Sequence, residues 1–196
     1  FSIPSLFGLV LLSDEIISFL FYRGAFDLLD VNFTGSALIA LAFGLPAFII
    51  IKILVVPYFA DEDTKTPIKV SIFSMIINLI LNLILIKEYL HVGLAIATSV
   101  SAWINALILF YILTVRKKYF FDKTIFIIIF KVLVSSLVMI FVVNLIINMN
   151  KANLFFQNGN LWLLISIFGG ALTYFFFIFI LGVKNLTSIS GSKRYE

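Results

Sequence analysis

The sequence predicts an all-α fold, a polytopic bundle of transmembrane helices. Hydrophobic residues make up 62% of the 196-residue chain and charged residues only 12%, whereas soluble domains have about 45–50% and about 25%. Mean hydropathy is +1.17. The apolar runs approach or exceed the roughly 20 residues that span a bilayer, and none shows strand alternation. Helices are therefore predicted, because only helices and closed barrels satisfy the backbone in lipid.

Six apolar runs qualify, or nearly qualify, as spans. They cover residues 3–22, 36–58, 67–86, 92–114, 124–147 and 161–182. Pro4 and Pro67 stand near the starts of their runs, where a proline is tolerated because its missing N–H has no helical partner. Pro57 interrupts the second run just before a charged elbow at 61–66. We therefore expect two spanning helices joined by a tight turn at the membrane surface.

The distribution of lysine and arginine predicts the orientation. With six spans, nine basic residues fall on one side: Lys65, Lys69, Arg116, Lys117, Lys118, Lys123, Lys184, Lys193 and Arg194. Three fall on the other side: Arg23, Lys87 and Lys151. Because cytoplasmic loops carry the excess of positive charge, both ends of the chain are predicted to be cytoplasmic. The first residue is Phe1 rather than Met, and we expect the chain to be a piece of a longer protein.

Several classes of function lose support from composition. The chain has no cysteine and a single histidine, His91 at a loop edge, so thiolate sites, histidine metal sites and histidine-based triads have no ligands or bases. No glycine-rich phosphate loop and no basic, aromatic patch for nucleic acid is present. We therefore expect no metal, no cofactor and no nucleic-acid partner, and an intramembrane enzyme that uses Asp14 and Glu15 has little support.

Charged residues inside the spans are costly and are candidates for function. Asp14 and Glu15 lie near the middle of the first run. They are either a cation or proton site or the mark of a bent helix that brings both carboxylates to a water-filled surface. Lys52 and Lys131 lie inside the second and fifth runs. Each either meets an anionic group in a cavity or extends its amine to the interface.

Polar side chains recur at helical spacing on two neighbouring spans. The third span carries Ser71, Ser74, Asn78 and Asn82, and the fourth carries Thr98, Ser101 and Asn105. Such stripes line a hydrophilic pathway or, more commonly, form helix–helix contacts worth about 0.6–2 kcal/mol each. The last span has a face of small residues, which predicts close helix packing: Ser166, Gly169, Gly170 and Thr173.

Several ordered segments resemble the MurJ/MviN lipid II flippase family. They are 21–26 (FYRGAF), 44–48 (GLPAF), 52–54 (KIL), 59–60 with 63–70 (FA and DTKTPIKV), 92–99 (VGLAIATS) and 101–107 (SAWINAL). The resemblance covers about residues 4–118, and the remainder matches in hydropathy. Two departures are Pro57, one residue later than the family's proline, and Tyr58-Phe59, which inverts a Phe-Tyr pair. Asp14 and Glu15 match nothing in the family pattern.

The resemblance implies spans nine to fourteen of a fourteen-helix transporter in the multidrug/oligosaccharidyl-lipid/polysaccharide exporter superfamily. Residues 1–118 would hold spans nine to twelve, and residues 119–196 spans thirteen and fourteen with a short cytoplasmic tail. The implied activity is flipping lipid II, the undecaprenyl-linked peptidoglycan precursor, across the bacterial cytoplasmic (inner) membrane. Its partners would be lipid II, membrane lipids and the N-terminal lobe of the same protein.

Two sets of residues carry these expectations. The substrate-pathway candidates are Lys52, Asn78, Asn82 and Asn105, and the family-motif turn residues are Arg23, Gly24, Asp63, Thr66 and Pro67. The elbow itself is interpreted as a structural turn between helices that move together. The alternatives are a related exporter of polysaccharide, O-antigen units or drugs, a membrane-embedded enzyme acting on polyprenyl phosphates, and a non-catalytic scaffold.

Overall fold

The described residues, 1–116, 123–151 and 161–182 of a computed structural model, contain only α-helical regular structure. The helices are α1 (Ser2–Leu11), α2 (Ser13–Phe21), α3 (Leu28–Ala60), α4 (Lys65–Val115), α5 (Lys123–Lys151) and α6 (Leu161–Ile180). In length and composition, α3 to α6 can each cross a membrane, and the bent pair α1–α2 adds a fifth candidate. The prediction of an all-α, membrane-spanning fold is confirmed. The chain divides into two compact units, Phe1–Phe120 and Phe121–Glu196.

The first predicted span is a broken helix. α1 and α2 are bent by 70° at Leu12, whose φ of −111° and ψ of 15° leave the helical region. The apolar run 3–22 is therefore divided between two helices. The break places Asp14 and Glu15 in the first turn of α2, where negative charge interacts favourably with the positive end of the helix dipole. Of the two interpretations of these carboxylates, the bend is the one observed.

The second predicted span is longer than the apolar run. α3 begins at Leu28 rather than at 36 because Asp27 and Asp30 form a capping box. Asp27 accepts hydrogen bonds from the backbone N–H groups of Leu29 (2.8 Å) and Asp30 (3.0 Å), and Asp30 accepts one from Asp27 (3.1 Å). These bonds satisfy N–H groups that have no intrahelical partner. At the other end the helix continues through Pro57 to Ala60, so Pro57 does not end it.

α4 contains two helical arms. Its 51 residues would extend about 77 Å as one helix, more than twice a hydrocarbon core of about 30 Å. The helix is interrupted at Leu90, where φ is 49° and ψ is −130°, which divides it into α4a (65–89) and α4b (91–115). Counting these arms separately, and α1–α2 as one, gives six segments. The six-span count itself stays a prediction.

A close backbone approach follows the break in α4. A Cβ at Gly93 would lie 2.7 Å from the Leu85 carbonyl oxygen and 2.8 Å from its carbon. Only glycine permits this contact without a backbone shift. Gly93 therefore lets α4b start directly against the end of α4a.

In the first unit, α3 and α4 pack together around a small buried cluster. Tyr58, Val70, Leu109 and Leu113 form this core. The Tyr58 hydroxyl donates a hydrogen bond of 2.8 Å to the Leu109 carbonyl oxygen. This bond joins the last turns of α3 to α4b.

In the opposite direction, two side chains of α4b donate hydrogen bonds to the backbone of α3. Ser99 Oγ bonds the Ala40 carbonyl (2.5 Å), and Trp103 Nε1 bonds the Phe43 carbonyl (2.9 Å). A Cβ at Gly44 would lie only 2.7 Å from Ser99 Oγ. Polar bonds and a glycine contact therefore hold these two helices close, as is common where lipid removes the hydrophobic drive for association.

The second unit consists of α5 and α6, which pack through small residues. Ser135, Ser136 and Ser166 are fully buried. A Cβ at Gly170 would lie 2.8 Å from a Val143 methyl carbon. The small-residue face predicted on the last span therefore takes part in close packing. Lys131 donates from Nζ to the Leu181 carbonyl at the end of α6 (2.7 Å), so this amine stabilises a helix end within the unit.

Candidate functional site: a polar seam and an ionic cluster

A hydrogen-bonded polar seam joins α4a to α4b. We define it as Ser74, Asn78 and Asn82 on α4a with Ser101 and Asn105 on α4b. Within each arm these residues are four apart, which places them on one face of a helix. Asn82 Nδ2 donates to Asn78 Oδ1 (3.0 Å), and Asn78 Nδ2 donates across to Ser101 Oγ (3.1 Å). The interhelical bond shows that the two stripes face each other.

The hydrogen bonds of the seam form a chain in which each side chain donates to the next group. Ser101 Oγ passes the relay on by donating to the Thr98 carbonyl oxygen (3.0 Å). Three bonds thus lead from Asn82, through Asn78 and Ser101, to the backbone of α4b. Consecutive hydrogen bonds in a low-dielectric interior strengthen one another. The relay therefore fixes the arms of α4 in one register.

Three buried polar atoms of the seam have no hydrogen-bond partner within the described residues. They are Ser74 Oγ, Asn82 Oδ1 and Asn105 Oδ1. Because Asn78 lies opposite Ser101 in antiparallel arms, Ser74 and Asn105 are at the same level, one turn further from Leu90. An unpaired buried polar atom costs about 1–3 kcal/mol. These oxygens can accept hydrogen bonds from water or from the hydroxyl and amide groups of a ligand.

The structure brings three of the four predicted pathway residues together. Asn78, Asn82 and Asn105 all belong to the seam, whereas Lys52 is exposed on α3. No hydrogen bond or ion pair of Lys52 is found in the described part of the chain. The contribution of all four residues to a substrate pathway remains a prediction.

An ionic cluster closes the elbow between α3 and α4. We define it as Asp63, Thr66 and Arg116. Asp63 Oδ1 accepts from the Thr66 backbone N–H (3.0 Å), and Asp63 Oδ2 accepts from the Thr66 hydroxyl (2.6 Å) and from Arg116 Nη1 (2.7 Å). Arg116 Nη2 donates to the Thr66 hydroxyl oxygen (3.1 Å). The three side chains thus form a closed set of hydrogen bonds.

The electrostatics of this cluster follow from those bonds. The Thr66 hydroxyl, and then the Arg116 guanidinium, hold the pKa of the Asp63 carboxyl well below its usual range. In return, the bond to Asp63 raises the pKa of Arg116 above its usual value. The guanidinium carbon also lies 5.6 Å from the centroid of the Tyr58 ring, within the range of a cation–π interaction. Both charges are therefore retained at every physiological pH.

The other three motif residues, Pro67, Arg23 and Gly24, lie at the start of a helix and in a turn. Pro67 is buried in the first turn of α4, as predicted for a proline at a helix start. Arg23 and Gly24 lie in the exposed turn between α2 and α3. Gly24 has a φ of +63°, a left-handed conformation that glycine adopts without steric cost. These two residues lie outside both the seam and the cluster.

Two features were not found from the sequence. Arg116 was counted only as a positive charge for topology, although an arginine directly after a span and an Asp-x-x-Thr elbow are the signals that could have paired them. The second is a close contact between the Asp14 carboxylate and Gly35 of α3.

Within the described ranges, no group of three His, Cys, Asp or Glu side chains is arranged to hold a metal ion.

The comparisons identify the family. A family model described as "Lipid II flippase MurJ" matches residues 1–168. A solved structure titled "Lipid II flippase MurJ, inward closed conformation" is similar to this chain with a TM-score of 0.73 and 34% sequence identity. That match covers 91% of this chain and 35% of the solved one.

Curated relatives agree with that structure. A "Probable lipid II flippase MurJ" of Rickettsia prowazekii is 37% identical over 74% of this chain and 29% of its own length. A "Probable lipid II flippase MurJ" of Buchnera aphidicola subsp. Baizongia pistaciae is 32% identical over 93% of this chain and 36% of its own length. The "Lipid II flippase MurJ" of Thermosipho africanus is 35% identical over 90% of this chain and 34% of its own length. The chain spans about a third of the length of these relatives. The resemblance found in the sequence is confirmed: the chain belongs to the lipid II flippase MurJ family.

Proposed function

We propose that this chain is the C-terminal portion of a transporter that flips lipid II across the bacterial cytoplasmic membrane for cell-wall synthesis. Support comes from the family match over residues 1–168 and from the similarity to a solved flippase. Because the chain spans about a third of the length of its relatives, we propose that it works with an N-terminal lobe of the same protein. Six of fourteen helices would then be supplied here.

The proposal includes an orientation. Both ends of the chain are cytoplasmic, so the elbow at Asp63 lies at the cytoplasmic surface and the Leu90 turn at the outer one. The supporting observation is the excess of lysine and arginine on the side of the elbow, nine against three. Such an excess marks cytoplasmic loops in membrane proteins.

The proposed mechanism is alternating access. Two helix bundles rock about a central cavity, the charged head of lipid II crosses through the polar interior, and its polyprenyl tail stays in lipid. The observation that carries this proposal is the seam, in which Asn82 Oδ1 and Asn105 Oδ1 have no hydrogen-bond partner among the described residues and lie inside largely apolar helices. Oxygen acceptors of this kind suit the hydroxyl and amide groups of a sugar–peptide head. Lys52 would contact an anionic group of the same head.

A translocation assay tests the proposal. Proteoliposomes containing this chain joined to its N-terminal lobe should carry fluorescent lipid II from one leaflet to the other, measured by the fraction accessible to a membrane-impermeant quencher. The chain alone should not, because half of a cavity cannot enclose the head group. Transport of other lipid-linked saccharides but not of lipid II would favour the related exporters. Chemical conversion of a polyprenyl phosphate would favour the enzyme.

The role of Lys52 is tested in the same assay. Lys52→Ala should slow lipid II transport, because an exposed amine on α3 would lose its contact with the anionic head group. Lys69→Ala is the matched control, since Lys69 is also exposed and lies in the first turns of α4. Unchanged transport by Lys52→Ala at normal expression would assign Lys52 to the interface and remove it from the pathway.

A further inference from the structure

Arg116 contacts three helix ends with one side chain. It follows the last residue of α4b, and its guanidinium reaches Asp63 in the elbow and Thr66 in the first turn of α4a, 53 and 50 residues earlier. The same group lies over the ring of Tyr58, near the end of α3. The ends of α3, α4a and α4b are therefore gathered around a single guanidinium.

The bonds of this group depend on its forked shape. Nη1 bonds Asp63 and Nη2 bonds Thr66, and these two partners are themselves bonded at 2.6 Å. An isolated surface ion pair contributes little, but a closed network with shared atoms holds its members in one geometry. A lysine ammonium is a point charge on a flexible stem and does not reproduce the planar fork. The identity of the residue, and not only its charge, should therefore matter.

The contacts beneath the cluster continue the connection. Tyr58 bonds the Leu109 carbonyl and packs with Val70, Leu109 and Leu113. At the other end of the α4 arms, the single residue Leu90 joins them. α3, α4a and α4b thus have fixed separations at the elbow end, and the two α4 arms also at the opposite end.

We propose that Arg116 is a positioning residue that clamps these three helix ends, so that they move as one rigid body when the transporter changes conformation. The consequence for transport rests on the proposed function, whereas the clamp itself does not. The clamp predicts that replacing the forked guanidinium of Arg116 loosens the packing of the three helix ends at the elbow without unfolding the helices.

Distance measurements test the clamp directly. Because the chain has no cysteine, Ala60→Cys and Val115→Cys place a unique pair of spin labels on two exposed residues at the ends of α3 and α4b. In the intact protein the distance distribution between them should be narrow. Arg116→Lys and Thr66→Val should broaden it, and Thr66→Ser, which keeps the hydroxyl, should restore it. Unchanged distributions in Arg116→Lys and Thr66→Val would overturn the proposal.

A control and a transport readout separate positioning from stability. Thr114→Val is the control, because among the described residues the Thr114 hydroxyl bonds only the Phe110 carbonyl of its own helix (2.9 Å). It should change neither distance nor transport. Arg116→Lys and Thr66→Val should lower lipid II transport about tenfold or more, as expected for misplaced binding groups, and Thr66→Ser should recover it. Broadened distances with normal transport would refute the positioning role. If the unsubstituted chain joined to its N-terminal lobe moves no lipid II, the proposed function fails, whereas the distance measurements still test the clamp.

Discussion

Asn78 of α4a donates a hydrogen bond of 3.1 Å to the Ser101 hydroxyl of α4b, 23 residues further along the chain. This bond shows that part of the polar stripe is a helix–helix contact, the more common of the two interpretations. The side-chain oxygens of Asn82 and Asn105, which have no hydrogen-bond partner within the described part of the chain, belong to the same seam. The seam therefore has a bonded part that holds the arms and a free part that is available to other groups.

The first prediction concerns the bonded part of the seam. Asn78→Leu should destabilise the chain by about 1–3 kcal/mol, because it leaves the Asn82 amide donor without its acceptor. The measurement is unfolding of the reconstituted chain by titration with a denaturing detergent. Asn144→Leu is the control, since Asn144 is exposed on α5. Equal effects of the two substitutions would show that the relay adds nothing to stability.

The second prediction compares two buried glycines. Gly93→Ala should destabilise by about 1–3 kcal/mol, because the added Cβ meets the backbone of Leu85, which cannot move aside. Gly35→Ala should be nearly neutral, because its Cβ meets the end of the Asp14 side chain, which can rotate. Thermal unfolding and the yield of folded protein measure both. A harmless Gly93→Ala would mean that the arms of α4 separate more easily than the close contact implies.

The third prediction is a pH dependence of stability. The folded-state pKa of Asp63 lies below its usual range, and an unfolded aspartate has a pKa of about 3.9. The stabilisation from this group is therefore complete above about pH 4 and is lost as pH falls towards the folded value. Asp63→Asn should melt below the wild type at pH 7, and the difference should narrow below about pH 4. A constant difference down to pH 2 would contradict this assignment.

The fourth prediction concerns Lys131, whose amine bonds the Leu181 carbonyl at the end of α6. A cation at the negative end of a helix stabilises it by about 0.3–2 kcal/mol. Lys131→Met should therefore accelerate hydrogen exchange at the Leu181 and Gly182 amides, measured by mass spectrometry. Lys131→Arg should preserve slow exchange. Equal exchange in wild type and Lys131→Met would indicate that the amine serves the membrane interface instead.

The sequence predicted the helices better than their ends and breaks. Hydropathy located each long helix of the described residues, because helices that cross lipid need apolar runs. It missed the start of α3, where Asp27 and Asp30 lower the average hydropathy while their side chains cap the helix. The bend at Leu12 was only one of two interpretations of Asp14 and Glu15, since neither proline nor glycine stands at Leu12 to predict it.

The candidate site was predictable to a similar extent. The spacing of Ser74, Asn78 and Asn82 fixed one face of a helix, but only the fold could show that this face meets Ser101 and Asn105. Arg116 lies 53 residues from Asp63, and although each stands in a recognisable local pattern, neither pattern predicts that the two meet. Long-range pairs of this kind depend on how the arms of α4 pack, which hydropathy does not encode.

The single-residue link at Leu90 leaves no slack between two neighbouring helices. An L-residue at a φ of 49° is held there only by the structure on either side, at a cost of about 1–3 kcal/mol. A reporter domain, epitope or protease site inserted at this corner would push the two arms apart, whereas the Arg23–Gly24 turn is formed by exposed residues. Engineered handles for imaging or purification therefore belong at that turn and not at Leu90.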